Sequence, residues 1–265
     1  MKITAYQFAV SSDIRKNLET IEKAIREAAD RQADLVVFPE CALTGYPPMD
    51  MPSVSQVDFT LAGECCERLQ DLCGETKTAA VVGMIAKEGD RIFNRAVFFA
   101  PDGECGIYDK RALWGWDREN FAPGDRNGII EYKGFRIGIR ICFEVRFPEY
   151  FRELYRERTD ADLVLFYDVS ETDDTDRYDL IRGHLRTRAA ENACTVISSN
   201  AIRPFQTAPT AVFGRSGQVL AECPRNKEGY TEFILKKQEY NFGEQGRAEI
   251  SDMLLGFSGR KEEEI

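Results

Sequence analysis

Three polar residues each stand just past an apolar run. Glu40 follows Leu35-Val36-Val37-Phe38-Pro39, Lys110 follows Ile107-Tyr108-Asp109, and Cys142 ends Phe135-Arg136-Ile137-Gly138-Ile139-Arg140-Ile141. Ligands of α/β sheets gather outside the carboxyl ends of strands, so these positions are the first candidates for chemistry. A carboxylate can take a proton, a thiol can attack a carbonyl, and an ammonium can hold developing negative charge. Together they allow acyl transfer without histidine. That matters because the chain has one His, His184, which excludes a two-His zinc site and an HExxH helix.

Each residue also has a plainer reading. Pro39 supplies no N–H and takes the chain out of a sheet ladder, so Glu40 is partly desolvated, as suits a base, or it caps the next turn. In residues 135–141 apolar and polar positions alternate, and Gly138 together with a helix start at Pro148 suggests a sharp strand-to-loop turn. On such a turn Cys142 faces a cleft and the Phe143 N–H points at the same spot; otherwise Cys142 finishes a core strand. Lys110 is a solvated surface charge, or it sits beside the thiol, favours thiolate and neutralises an oxyanion.

The elements that must position these groups are readable in outline. Residues 2–9 form a strand, Ser11-Ser12-Asp13 offers an N-cap, and Ile14, Leu18, Ile21, Ile25 and Ala29 repeat at helical spacing to about residue 32. Leu35-Val36-Val37-Phe38 is a strand buried on both faces, and a second helix covers about 57–73. Strands are expected near 79–86, 93–100, 129–132, 135–142 and 163–167, a helix from Pro148, another over about 176–192, and short strands from Thr195 to Leu235. Helices and strands alternate with no Gly/Ser-rich linker, which predicts one α/β domain over residues 1–257 and a charged tail over 258–265.

Composition narrows the partners. With 35 Lys+Arg against 45 Asp+Glu the net charge is −10, which argues against nucleic acid or an anionic membrane surface. No apolar run approaches the roughly 20 residues of a membrane span, and Met1-Lys2-Ile3-Thr4 reads straight into a strand; a cytoplasmic setting and free thiols are the expectation. The eight cysteines contain no CxxC pair, and Cys41 is read as packing. No GxGxxG or GxxxxGK[ST] run marks a nucleotide site. The acidic run Glu171 to Asp176 is read as a solvated loop before a helix rather than a calcium site, because it lacks the EF-hand glycine and terminal glutamate. His184 is read as a helix-surface or packing residue, and Trp114 and Trp116 as cleft wall or core. The pocket is expected to be built from loops around 44–60, 113–127 and 168–178, with Arg118, Arg126, Arg177 or Arg203 available to grip a substrate carboxylate.

The runs Leu35 to Glu40, Tyr108-Asp109-Lys110-Arg111-Ala112-Leu113-Trp114 and Ile141-Cys142-Phe143-Glu144-Val145-Arg146-Phe147-Pro148-Glu149 resemble the three motifs of the nitrilase superfamily of carbon–nitrogen hydrolases. Leu43-Thr44-Gly45-Tyr46, Phe121-Ala122-Pro123-Gly124, Arg188 to Asn192, Ser199-Asn200 and Val212 to Ser216 extend the likeness over residues 2 to 235. The resemblance implies a four-layer α-β-β-α sandwich, assembly as a homodimer or larger homo-oligomer, a small amide or N-carbamoyl substrate, and neither cofactor nor metal. It gives Glu40 the role of base, Cys142 that of nucleophile, and Lys110 with the Phe143 N–H that of oxyanion hole. Alignment places Asp117 at the family's second acidic position, with Glu119 near enough to compete, and Ala112 stands where many members carry His. Glu144 either lines the pocket or pairs with Arg146 or Arg140 to set the turn; the second reading is favoured. Phe143, where nitrile-cleaving members tend to carry Trp, points toward amides or carbamoyl compounds. The alternatives are a nitrile hydrolase or a non-catalytic scaffold.

Overall fold

A computed structural model of the chain describes residues 1–256. The expected tail at 258–265 lies outside the described residues. In chain order the elements begin with β1 (Lys2–Gln7), α1 (Ile14–Asp30), β2 (Leu35–Val37), α2 (Phe59–Thr76), β3 (Ala79–Glu88), β4 (Arg91–Phe99), β5 (Cys105–Asp109) and α3 (Trp116–Asn120). They continue with β6 (Ile129–Tyr132), β7 (Phe135–Ile141), α4 (Pro148–Arg156), β8 (Ala161–Phe166), β9 (Val169–Ser170) and α5 (Thr175–Asn192). The last are β10 (Thr195–Asn200), β11 (Phe205–Gln206), β12 (Ala211–Phe213), β13 (Val219–Glu222), β14 (Gly229–Ile234) and α6 (Phe242–Leu254).

Two six-stranded sheets form, in the orders β14-β1-β2-β3-β4-β5 and β13-β12-β10-β8-β7-β6. Alternation within each strand decides which face goes where. Ile3, Leu35, Val37, Val81 and Phe98 of the first sheet pack against Ile137, Ile139, Ile141, Leu163, Leu165 and Ile197 of the second. The opposite face of the first sheet, with Val36, Ala80 and Val82, is covered by Ile21, Ile25, Leu69 and Leu72 of α1 and α2. That of the second, with Val164, Phe166 and Val196, is covered by Phe151 and Leu154 of α4 and Ile181 and Leu185 of α5. Four layers result, helix-sheet-sheet-helix, as the resemblance implied. Asp13 caps α1 by accepting from the Arg15 and Lys16 N–H groups at 3.1 and 3.2 Å, as its position before the helical repeat predicts.

Some elements differ from expectation. The second helix runs three residues further, to a left-handed Lys77. Short α3, the β9–β11 ribbon and α6 were not anticipated. α6 begins at an Asn241–Glu244 capping box but leaves Phe242, Ile250, Met253 and Leu254 exposed, so its apolar spacing carries no clean core stripe. No helix among the described residues is long and apolar enough to cross a membrane. All eight cysteines are free.

Candidate active site

The loop after β2 is pinned beside β3. The Phe38 N–H donates to the Val81 carbonyl (2.9 Å), that of Leu43 to Gly83 (3.0 Å), and the Ile85 N–H donates to Thr44 Oγ1 (3.0 Å). Gly83 is the residue that permits this approach. A Cβ there would fall 2.3 Å from the Pro39 oxygen, 2.6 Å from the Cys41 nitrogen and 2.7 Å from Glu40 Cα. The loop places Glu40 in the interior, where it spans both sheets. Oε1 accepts from Lys110 Nζ (2.9 Å) and Asn94 Nδ2 (2.6 Å), and Oε2 accepts from the Tyr167 N–H (2.7 Å) just past β8.

Lys110 follows β5 and is only 2% exposed, so of its two readings the solvated surface charge is excluded. Its N–H donates to the Asn94 carbonyl (2.9 Å), while the neighbouring Asp109 is gripped by both arms of buried Arg95 at 2.7 and 2.9 Å. The ammonium lies between two carboxylates, 2.9 Å from Glu40 and 2.7 Å from Asp117 Oδ2. Burial pushes Lys110 down, but the negative charges beside it, Glu40 foremost and Asp117 with it, outweigh burial and hold the ammonium well above the ordinary lysine range. Asp117 also accepts from the Tyr46 hydroxyl at 2.5 Å. Glu119 is exposed, so of the two competing acids it is Asp117 that meets the lysine.

Cys142 opens a short 3-10 turn, Cys142–Arg146, and has φ +46°. A non-glycine residue in that region carries roughly 1–3 kcal/mol of strain and must be held there by its surroundings. Glu144 supplies the hold. It is fully buried, and its oxygens accept from the Ile141 N–H (2.7 Å), the Arg111 N–H (2.8 Å) and the Tyr108 hydroxyl (2.7 Å). Glu144 therefore braces the turn against the lysine loop, and its partners are these groups rather than Arg140 or Arg146. Arg188 closes the other side by donating from Nε to the Val145 carbonyl at 2.9 Å.

Lys110 favours thiolate, as expected, but it is outweighed. Burial first, and the Glu40 charge second, push the Cys142 thiol well above its ordinary range, and Lys110 opposes them only in part. The resting sulfur is a thiol whose proton must be removed. Glu40 has room for it: with three donors on four acceptor positions, Oε2 keeps one lone pair.

Lys110, Cys142, Phe143 and Asp117 share a cavity of about 220 Å³ with Tyr46, Trp114, Trp116, Tyr167, Asp168, Val169 and Arg177. The three expected loop regions all contribute. Trp114 is 70% exposed at the rim, while Trp116 packs edge-on to Tyr46 and Phe121 at ring distances of 6.2 and 5.6 Å. Of the four arginines considered, only Arg177 lines the cavity; Arg118, Arg126 and Arg203 are exposed elsewhere. His184 is half-buried on α5 and does not line the cavity. Asp174 of the acidic run caps α5, accepting from the Arg177 N–H at 2.9 Å. No cluster of three or more potential metal ligands occurs among the described residues. Asn94, Tyr167 and Asp50 were missed from sequence. Asp50 Oδ2 accepts from the Tyr46 N–H and the Tyr167 hydroxyl, both at 2.8 Å.

A family model described as carbon-nitrogen hydrolase matches residues 2–236. An (R)-stereoselective amidase from Pseudomonas sp. is 33% identical over 58% of this chain and 56% of its own length. A nitrilase from Pyrococcus abyssi is 35% identical over 57% of this chain and 61% of its own, so the matched stretch spans less than two thirds of either relative. An omega-amidase from Xenopus tropicalis is 26% identical over 84% of both chains. Among solved structures, an amidase from Nesterenkonia sp. superposes with a TM-score of 0.74 at 25% identity, covering 88% of this chain and 89% of that one. At the same 25% identity and coverage, a mutant of that amidase carries an acetamide moiety added covalently at its active-site cysteine. With a family model spanning nearly the whole described chain and a matching four-layer fold, the protein belongs to the carbon-nitrogen hydrolase family.

Proposed function

We propose that the protein hydrolyses the C–N bond of a small amide or N-carbamoyl compound through a thioester on Cys142, the work of one domain spanning the sandwich. The observation that carries this reading is the Lys110 ammonium bridging Glu40 and Asp117 at 2.9 and 2.7 Å beside a strained thiol in one small cavity.

Glu40 takes the Sγ proton as the sulfur attacks the carbonyl carbon, and the carbonyl electron pair moves onto oxygen. Lys110 and the Phe143 N–H hold that oxyanion; Asp117 fixes the ammonium from behind. Collapse restores the carbonyl and expels the nitrogen, which leaves as ammonia or amine with the proton from Glu40. Water then gives a proton to Glu40 as it attacks the thioester. The carboxylic acid departs, and the released sulfur recovers its proton from Glu40. At about 220 Å³ the cavity falls below the roughly 300–1,000 Å³ of sites for drug-sized ligands, which supports a small substrate.

Ammonia release from a panel of primary amides, ω-amides, N-carbamoyl compounds and nitriles tests the reading. Wild type should turn over at least one amide or carbamoyl compound, and folded Cys142→Ala none. Lys110→Ala should keep a faint rate, since one oxyanion donor is worth about 10²–10³. Normal turnover by Cys142→Ala would refute the mechanism. A homo-oligomer is proposed as the working form, supported by the exposed Phe242, Ile250, Met253 and Leu254 along α6; sedimentation of a monomer only would contradict it.

A further inference from the structure

The two carboxylates that flank Lys110 are supported unequally. Glu40 accepts from donors on three separate segments, at Asn94, Lys110 and Tyr167. Asp117 sits on α3, a helix of five residues with no side-chain cap at Gly115. So short a helix fixes its side chains poorly by itself. What holds Asp117 Oδ1 is the Tyr46 hydroxyl at 2.5 Å, while Oδ2 accepts from Lys110. The place of the ammonium therefore depends on where Tyr46 stands.

Tyr46 is held in turn by Asp50. Asp50 Oδ2 accepts from the Tyr46 N–H, and the Asp50 N–H donates to the Tyr46 carbonyl, both at 2.8 Å, so residues 46–50 close on themselves. The same Oδ2 accepts from the Tyr167 hydroxyl at 2.8 Å, and the two tyrosine rings lie 5.1 Å apart. Tyr167 is also the residue whose N–H donates to Glu40 Oε2. One oxygen thus joins the loop after β2 of the first sheet to the chain just past β8 of the second. From it one tyrosine reaches Asp117 and the other reaches Glu40. Asp50 does not line the cavity, whereas both tyrosines do, so its influence on the site passes through them.

We propose that Asp50 is a positioning residue for the hydrolysis: by clamping Tyr46 and Tyr167 it sets the spacing of Asp117 and Glu40 about Lys110. It thereby aims both the oxyanion donor and the base, whose contributions depend on sub-ångström placement. The inference rests on the amidase reading above and adds a residue to its machinery.

The test is a double-mutant cycle between Asp50 and the Tyr46 hydroxyl, read as kcat and KM on the panel compound that wild type hydrolyses fastest. Asp50→Ala should lower kcat by about 10- to 100-fold and leave KM nearly unchanged, because the loss falls on the transition state. Asp50→Asn should stay within about threefold of wild type, since its amide oxygen accepts the same two hydrogen bonds. Tyr46→Phe deletes the bond to Asp117 while keeping the ring, and should cost about 10-fold in kcat. In that background Asp50→Ala should cost at least about threefold less than in wild type. Equal costs in the two backgrounds, or lost stability in urea with kcat unchanged, would overturn the inference in favour of a structural role. Asp50→Asn as impaired as Asp50→Ala would overturn it too, because charge and not the two bonds would then matter. Normal kcat in Tyr46→Phe would overturn it even if Asp50→Ala failed to fold, since the clamp would have nothing to act through. Each of these results leaves the amidase reading standing, whereas a wild type inactive on every amide and carbamoyl compound would overturn both.

Discussion

Replacing Glu40 by Gln should move two observables in opposite directions. Three donors converge on this side chain: Lys110 Nζ, Asn94 Nδ2 and the Tyr167 N–H, at 2.9, 2.6 and 2.7 Å. A carboxylate accepts from all three, whereas an amide offers one oxygen and brings an NH2 of its own. At least one buried donor then faces another donor, at about 1–3 kcal/mol of stability. Turnover loses its base and should fall by about 10²–10⁴. The thiol behaves differently. After burial, the Glu40 charge is the largest influence raising Cys142, and Lys110 is the opposing one. Removing the carboxylate leaves the ammonium in place, so thiolate should form at lower pH in Glu40→Gln than in wild type. Iodoacetamide alkylation of Cys142, followed by peptide mass mapping from pH 6 to 10, reads this directly. An alkylation profile unmoved or displaced to higher pH, in a folded variant, would refute the electrostatic account of the site.

Two further changes test the support of the site and the core. Gly83→Ala forces a Cβ to within 2.3–2.7 Å of the Pro39–Cys41 backbone. It should lower kcat through displacement of Glu40 and reduce stability by about 1–3 kcal/mol, checked by turnover and urea unfolding; unchanged values for both would contradict the role given to that approach. Asp162 is fully buried, its Oδ2 has no hydrogen-bond partner, and burial raises it from 3.8 to about 6. The folded chain thus keeps the proton while the unfolded chain loses it. The stabilising influence of protonation is complete below 3.8 and is lost as pH rises through about 6. That interval corresponds to about 3 kcal/mol. Relative to wild type, Asp162→Asn should gain up to that amount between pH 4 and pH 8, whatever its constant offset; a pH-independent difference in urea unfolding would be inconsistent with it.

The catalytic candidates were legible because each ends an apolar strand, and chain order alone brings such ends to one edge of a layered α/β fold. Asp117 was less so: alignment placed it at the second acidic position with Glu119 near enough to compete, both stand in the first turn of short α3, and what separates them is that Asp117 is buried against Lys110. Asn94 had a signal that went unused, a polar residue at an inward position amid Ile92, Phe93, Ala96 and Val97. The partners of Glu144 were beyond reach, since nearby arginines are the obvious ion-pair choice from sequence and backbone N–H groups are invisible there. The net direction of the Cys142 shift was illegible for a related reason. A lysine beside a thiol argues for thiolate only when burial and the adjoining carboxylate are left out. The helix α6 escaped because its apolar residues are exposed and do not trace a core-facing stripe.

The central claim is that an acyl group passes through the sulfur of Cys142. Rapid acid quench of the enzyme turning over an amide substrate, followed by intact-mass and peptide analysis, tests it most directly. The account predicts a mass increase equal to the acyl group, confined to the Cys142 peptide, removed by hydroxylamine and absent from Cys142→Ala. Amide turnover at the normal rate in Cys142→Ala, or an acyl adduct residing on any other residue, would contradict it.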